Sequence, residues 1–241
     1  RLTAEDEREM DLFHRYDSVF VCSEEDARLL PRLPVHVIPN GVSQEFSRNY
    51  RPSLGNKALL FAGVFRYRPN FLGIVAFLET VWDDLRQEVP DVELWILGGA
   101  GARERAGYQS LWQKPGVTIF DYVEHPVTFL ERCALSVNPL LGIRGSSLKV
   151  AESLAAGRVC LSTEDGARGF GERGYRSLLT VPSIADFTGP LVRLLTDTDY
   201  RVSMERLSPE EIEWLSWKLS AEKQIGFYRE LLQNRPDRNG Q

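Results

Sequence analysis

The stretch "ALSVNPLLGIRGSSLKVAESLAAGRVCLST", residues 134–163, carries the pattern that decides the fold. An apolar run (134–140) is followed by a Gly/Ser turn, a helix-forming segment (148–157) and a second apolar run that ends in "VCLST". Two short apolar runs on either side of a helical segment are typical of parallel strands joined by a helix. The stretch therefore predicts one strand–helix–strand unit.

The same alternation runs along most of the chain. The segments "YDSVFVCS", "VHVIPNG", "ALLFAG", "VELWILGG" and "VTIF" are predicted strands, and "EEDARLL" is a short helix with Ser23 as its N-cap. A long helix, "FLGIVAFLETVWDDLRQEV", has a broad apolar stripe. Beyond Asp199 the pattern is helical, and Ser208 and Glu211 form a predicted capping box. Strands that alternate with helices indicate an α/β fold built on a mostly parallel sheet.

Composition excludes several classes of protein. The 241 residues are 43% hydrophobic and 26% charged, which is enough for a sizeable core, and the formal charge of −5 argues against nucleic acid as the principal partner. The three cysteines are not spaced as metal ligands, so we expect reduced, buried thiols and a cytosolic setting. No uncharged apolar run is long enough to predict a transmembrane helix. The chain opens on Arg1, and we expect it to be a piece of a longer protein.

The helix start after Gly145 is a candidate anion site. Ser146 and Ser147 precede the helix, and a helix N-terminus favours anions through its dipole and its unpaired N–H groups. Lys149 in the first turn opposes the dipole, and a bound phosphate would resolve that conflict. Glu152, three residues on and on the same face, could accept both hydroxyls of a ribose. The alternative is a serine-capped helix with an ordinary Lys–Glu surface pair.

The predicted sheet places a second loop at the same edge. Ligands bind beyond the carboxyl ends of parallel strands, and the loop after "ALLFA" offers Gly63 for close backbone approach with Arg66 and Arg68 for anions. Its alternative interpretation is a solvated basic turn. The run "GGAGARERAG" does not match a dinucleotide-binding motif, because Glu104 stands where the third glycine is needed. The histidines are isolated from one another, and no metal site is expected.

Several blocks in order resemble the retaining GT-B-fold glycosyltransferases of glycosyltransferase family 4, also called group 1. The blocks are "YDSVFVCSEEDARLL", "VHVIPNGV", "LLFAGVFRYRPN", "VELWILGGAG", "VTIFDYVEH" and "SVNPLLGIRGSSLKVAESLAAGRVCLSTEDGARG". The resemblance implies a Rossmann-like parallel sheet with helices on both faces, the C-terminal half of a GT-B fold. Residues 1–41 would be the last elements of an N-terminal acceptor domain and its linker. Residues 42–202 would form the donor-binding domain, and residues 203–241 helices that pack back toward the N-terminal domain.

The resemblance also implies roles for individual residues. Lys149 would bind the donor diphosphate and Glu152 the ribose, and these two are the predicted catalytic residues. Residues implied to lie around the phosphates, the base and the sugar are Gly63, Arg66 or Arg68, Tyr122, Val123, Gly145, Ser146 and Ser147. Two positions depart from the family pattern. Arg144 stands where many members carry a first Glu, and Val64 replaces the usual basic residue after the first glycine.

The implied activity is transfer of a sugar from a nucleoside-diphosphate sugar to a glycan, lipid or small-molecule acceptor, with retention of configuration. Basic side chains would neutralise the diphosphate, so no metal or other cofactor is expected. The implied partners are the nucleotide sugar, the acceptor and an N-terminal acceptor domain, in a cytoplasmic protein either free or peripheral at a membrane. Two alternatives stay open: a catalytically inactive sugar-nucleotide-binding or scaffold module, and a sugar-nucleotide epimerase on the same fold.

Overall fold

The structure is a computed structural model that describes residues 11–107 and 110–233. The strands are β1 (Val19–Val21), β2 (Val35–Val37), β3 (Ala58–Ala62), β4 (Glu93–Leu97), β5 (Val117–Phe120), β6 (Leu135–Asn138), β7 (Cys160–Thr163) and β8 (Leu178–Val181). The α-helices are α1 (Glu24–Arg28), α2 (Arg68–Thr80), α3 (Trp82–Glu88), α4 (Ala102–Ala106), α5 (Val127–Leu130), α6 (Leu148–Ala155), α7 (Thr188–Thr196), α8 (Thr198–Met204), α9 (Pro209–Trp214) and α10 (Trp217–Gln233).

Six of the strands form one parallel sheet in the order β5-β4-β3-β6-β7-β8. The strand order reverses between β3 and β6, since successive strands are added on one side of β3 and then on the other. In doubly wound sheets the crevice at this reversal, outside the carboxyl ends of the two strands, is where ligands bind. The predicted α/β fold with a parallel sheet is confirmed. Its topology places a ligand site at the carboxyl ends of β3 and β6.

Helices cover both faces of this sheet, and the strands are buried accordingly. Along β3, Leu59 and Phe61 point into one apolar core and Leu60 points into the other. All three side chains are at most 1% exposed. Burial on both faces is what the near-continuous apolar run "ALLFA" requires, because strands with one solvated face alternate apolar and polar residues.

The helices differ from the sequence predictions at their ends. The predicted helix from Phe71 starts three residues earlier, with Pro69 in its first turn, and breaks at Val81 into α2 and α3. Ser23 and Ser208 cap α1 and α9 as predicted, and Glu211 completes the capping box. The terminal helical segment is interrupted between α9 and α10. No helix of the described residues is long and apolar enough to cross a membrane.

The short β1–β2 pair and α10 pack on one another. The Phe20 ring contacts that of Tyr228 edge-on at 5.3 Å between centroids, and His36 stacks on Phe227 at 4.0 Å. Ser220 of α10 donates a hydrogen bond to the carbonyl of Pro39 across 2.5 Å. These contacts join the two predicted end segments, 1–41 and 203–241, of which residues 1–10 and 234–241 lie outside the described part.

A buried ionic cluster ties the segment before β3 to the end of α8. Glu205 is 2% exposed and accepts hydrogen bonds from Tyr50 and from the backbone and side chain of Ser53. Arg201 donates to the side chain and the carbonyl of Ser53, and Arg158 lies 3.8 Å from the Glu205 carboxylate. Charges this deeply buried are tolerated only when paired and hydrogen-bonded, and here they are both.

Candidate functional site

A cleft of about 600 Å³ opens at the carboxyl ends of β3 and β6. It is lined by residues 62–64, 67 and 70 at and after the end of β3, by 97 and 99 at and after the end of β4, by 121–123 and 126 after β5, and by 140, 143, 144, 146–149 and 152 after β6. The cleft therefore occupies the point where the strand order reverses, as expected for a ligand site of this fold.

The loop after β3 is shaped around Asn70. A Cβ atom on Gly63 would lie 2.8 Å from Asn70 Cγ and 2.9 Å from Phe61 Cζ, so only glycine leaves room for the amide. Asn70 Nδ2 donates to the carbonyl of Val64 across 3.1 Å, which fixes the amide against the turn. The Phe65 N–H donates to Gly98, which ties the loop to the end of β4. Gly63 thus has a packing role beside its proposed approach to a ligand.

The start of α6 carries no side-chain cap. Ser147 occupies the N-cap position, but its hydroxyl makes no cap hydrogen bond and instead accepts from Asn138 Nδ2 at 3.3 Å. Ser146 Oγ accepts from Asn40 Nδ2 at 2.8 Å. A helix start without a side-chain cap leaves first-turn N–H groups for water or a ligand. The alternative of an ordinary serine-capped helix is therefore not what the structure shows.

Lys149 and Glu152 both line the cleft and are half-buried. They form no ion pair; instead Lys149 Nζ donates to Asn70 Oδ1 across 2.7 Å and lies 5.6 Å from the centre of the Phe61 ring. Burial lowers the pKa of Lys149 to about 8, although the Cys160 and Glu152 side chains act in the opposite direction. Burial likewise raises the pKa of Glu152 to about 7 against the effect of Lys149. The Glu152 carboxylate therefore keeps its acceptor positions, and Lys149 keeps two of its three N–H donors, for a ligand.

The structure brings most of the other predicted residues to the cleft. Gly63, Tyr122, Val123, Ser146 and Ser147 line it, and the Tyr122 side chain is 74% exposed above it.

Three predicted residues lie elsewhere. Gly145 is not among the lining residues; its φ of +75° serves the turn, and a Cβ there would lie 3.4 Å from Cys22 Sγ. Arg66 and Arg68 are exposed and do not line the cleft, because the chain turns into α2 at Arg68.

Arg144 takes the place beside the cleft that these arginines do not. It is exposed, it lines the cleft, and no acidic side chain of the described residues pairs with it. Its loop is held by Ile143, which is buried, and by the Gly142 N–H, which donates to Asp165 across 2.9 Å. Arg144 and Lys149 are the cationic side chains in the described lining.

Sequence reasoning missed Asn70, Tyr67 and Asp121 as lining residues. Asn70 was visible as the last polar residue of the loop that follows Gly63, directly before the helix predicted from Phe71. Asp121 follows β5 directly, and its carboxylate accepts from the Arg103 backbone N–H at 3.0 Å. No sequence pattern singles out Tyr67, whose place depends on the turn between β3 and α2.

Solved structures with a fold similar to this chain include glycosyltransferases. TarM superimposes with a TM-score of 0.71 at 14% identity over 94% of this chain and 46% of its own, and an S. aureus TarM variant was solved with UDP. The pneumococcal O-GlcNAc transferase GtfA, solved with UDP and GlcNAc, gives a TM-score of 0.63 at 14% identity over 94% and 47%. The UDP-forming trehalose-phosphate synthase of Burkholderia vietnamiensis gives 0.71 at 13% over 95% and 63%.

These likenesses show the fold, and the chain spans about half the length of TarM and GtfA. No curated protein sequence gives a significant match. The family model described as glycosyl transferases group 1 matches residues 56–197, which is more than half of the chain and contains the residues of the cleft. The chain belongs to the group 1 glycosyltransferases.

Proposed function

We propose that the cleft binds a nucleoside-diphosphate sugar and that the whole protein transfers the sugar to an acceptor with retention of configuration. The observation that carries this proposal is the pair Lys149 and Glu152, half-buried at the reversal of the sheet and not paired with each other. A cation and a carboxylate held apart in one cleft match the diphosphate and the ribose of a nucleotide. Relatives of the same fold solved with UDP support the choice of ligand.

The diphosphate would lie over the start of α6. Lys149, Arg144 and the uncapped N–H groups offer it positive charge and hydrogen-bond donors. As the bond from the sugar to the diphosphate breaks, negative charge grows on the leaving oxygen, and fixed donors stabilise it without reorganising. In this proposal two basic side chains replace a metal ion.

Glu152 would take the ribose. As a carboxylate it accepts hydrogen bonds from both hydroxyls, and no donor of the described residues occupies it in the free protein. The exposed Tyr122 ring and Val123 would lie beside the base, since they line the cleft at the end of β5. In this arrangement Lys149 binds the diphosphate and Glu152 binds the ribose, so each polar lining residue of α6 contacts a different part of the nucleotide.

Retention is the outcome that the family resemblance implies, and the carboxylates of the described lining bear on the route by which it would occur. Asp121 is held by Arg103, and Glu152 is assigned to the ribose. Neither is left as a nucleophile for a covalent sugar intermediate. We therefore propose displacement on one face of the sugar: the bond to the phosphate oxygen breaks, the acceptor oxygen bonds to the same carbon, and the acceptor proton passes to the departing phosphate.

The test is calorimetric titration of the chain with UDP, GDP and ADP and with their sugar derivatives. We expect one diphosphate series to bind and the corresponding nucleoside alone to bind far more weakly. Failure of every diphosphate to bind at about millimolar concentration would rule out the donor site. NMR analysis of the sugar nucleotide after incubation separates a transferase, which leaves the configuration of the donor sugar unchanged, from an epimerase, which inverts one carbon.

A further inference from the structure

We infer that Asn70 is a positioning residue that holds the Lys149 ammonium in place for the donor phosphate. The inference rests on the proposed function, because it names the group that orients the phosphate-binding cation. Asn70 belongs to α2 and Lys149 to α6, so the contact joins the segments that follow β3 and β6. These are the two strands between which the sheet order reverses.

Both ends of the Asn70 amide are engaged. Oδ1 accepts from Lys149 Nζ at 2.7 Å, and Nδ2 donates to the Val64 carbonyl at 3.1 Å. A side chain with one acceptor and one donor group so placed cannot rotate without losing both hydrogen bonds. The amide therefore sets the direction of the ammonium by reference to the backbone of the loop.

The site is built for this amide. Asn70 is 5% exposed although it is polar, and a buried amide is normally kept only where its groups are paired. Gly63 leaves the space that the amide fills, since any Cβ there would overlap Asn70 Cγ. Gly63, Asn70 and Lys149 are thus linked by a continuous series of contacts.

Among the described residues, Asn70 is the only one whose neutral oxygen accepts a hydrogen bond from the Lys149 ammonium. Glu152 lies one turn away on α6, Cys160 of β7 lines a small pocket together with Lys149, and the Lys149 ammonium lies 5.6 Å from the centre of the Phe61 ring of β3. Glu152 is the only carboxylate that acts on Lys149 in the described residues, and burial keeps the pKa of Lys149 near 8 in spite of it. A negative charge placed at residue 70 would therefore raise the pKa of Lys149.

The test uses Asn70→Asp and Asn70→Ala, with Thr80→Ala at the far end of the same helix as the matched control. In ligand-free protein, the rate at which Lys149 is acylated by acetic anhydride is followed against pH by mass spectrometry, because only the neutral amine reacts. The midpoint should move up by at least about one pH unit in Asn70→Asp, as for an opposite charge in contact. It should stay unchanged in Thr80→Ala.

The second arm measures UDP binding by calorimetry. We expect Asn70→Ala to weaken UDP about tenfold near pH 7.5, while Asn70→Asp binds UDP up to a higher pH than the wild type. An acylation midpoint that is the same in the wild type and Asn70→Asp overturns the inference, whatever the nucleotide does. A shifted midpoint in a protein that binds none of UDP, GDP and ADP supports the Asn70–Lys149 coupling and contradicts the proposed function instead.

Discussion

Lys149 Nζ lies 2.7 Å from Asn70 Oδ1, and this hydrogen bond spans the point where the order of the sheet reverses. Glu152 lies on the same helix face as Lys149 but forms no ion pair with it. The free protein therefore presents a cation and a carboxylate to the cleft as two distinct groups.

Binding of UDP should be strongest between about pH 7 and about pH 8. The pKa of Glu152 is raised to about 7, so the ribose-binding carboxylate is lost as pH falls through that value. The pKa of Lys149 is lowered to about 8, so the phosphate-binding cation is lost as pH rises through it. Calorimetry at intervals from about pH 6 to about pH 10 measures both limbs.

Two variants show which residue controls which limb. Glu152→Gln should remove the acid limb, and Lys149→Arg should remove the alkaline limb because a guanidinium stays charged throughout. UDP affinity that does not change over this range in the wild type would contradict the assignment of both residues.

Arg144→Ala should weaken UDP by about tenfold and leave UMP nearly unaffected. The expected loss is that of one charge-assisted hydrogen bond to the outer phosphate. The control is the double change Arg66→Ala with Arg68→Ala, which removes two exposed arginines outside the cleft and should leave UDP affinity within about twofold. If the control pair lost more UDP affinity than Arg144→Ala, the phosphate would contact the loop after β3 and not Arg144.

Gly63→Ala should destabilise the fold by about 1–3 kcal/mol and weaken UDP, because its Cβ displaces Asn70 and so frees Lys149. The comparison is Gly226→Ala in α10, where nothing lies within 4 Å of the added atom. There the helix should gain up to about 1 kcal/mol. Urea denaturation and calorimetry give both quantities. An unchanged UDP affinity in a folded Gly63→Ala variant would mean that the loop after β3 does not influence UDP binding.

Glu205→Gln should destabilise the protein by about 3 kcal/mol, because it leaves Arg158 and Arg201 buried without their counter-charge. The exposed pair Lys57–Asp91 is the matched comparison, and Asp91→Asn should leave the urea midpoint nearly unchanged. Urea denaturation of the two variants measures the difference. Equal effects would mean that the buried cluster contributes no more than a surface ion pair.

The sequence was sufficient for the fold because its signals are local. A run such as "ALLFA" shows by itself that a strand is buried on both faces. The caps Ser23 and Ser208 bind backbone N–H groups within one turn of their own helices. The breaks at Val81 and after α9 were not predicted, since apolar periodicity continues across both and the chain direction there depends on packing.

The site was less predictable, because side chains from different strands meet there. Lys149 and Glu152 could be found from a cation placed against a helix dipole, which is a signal within one turn. Asn70 could not be assigned to Lys149, because their contact spans 79 positions of the chain. Arg66 and Arg68 looked suitable from charge and position alone, yet both are exposed and neither lines the cleft.

The most direct test of the account is titration of the wild type and Lys149→Ala with UDP near pH 7.5, with folding of both checked by thermal unfolding. The account predicts that UDP binds the wild type and that Lys149→Ala weakens it by about tenfold or more, with little change in the affinity for uridine. Equal affinity of the two folded proteins for UDP, and likewise for GDP and ADP, would contradict the claim that this cleft is the donor site.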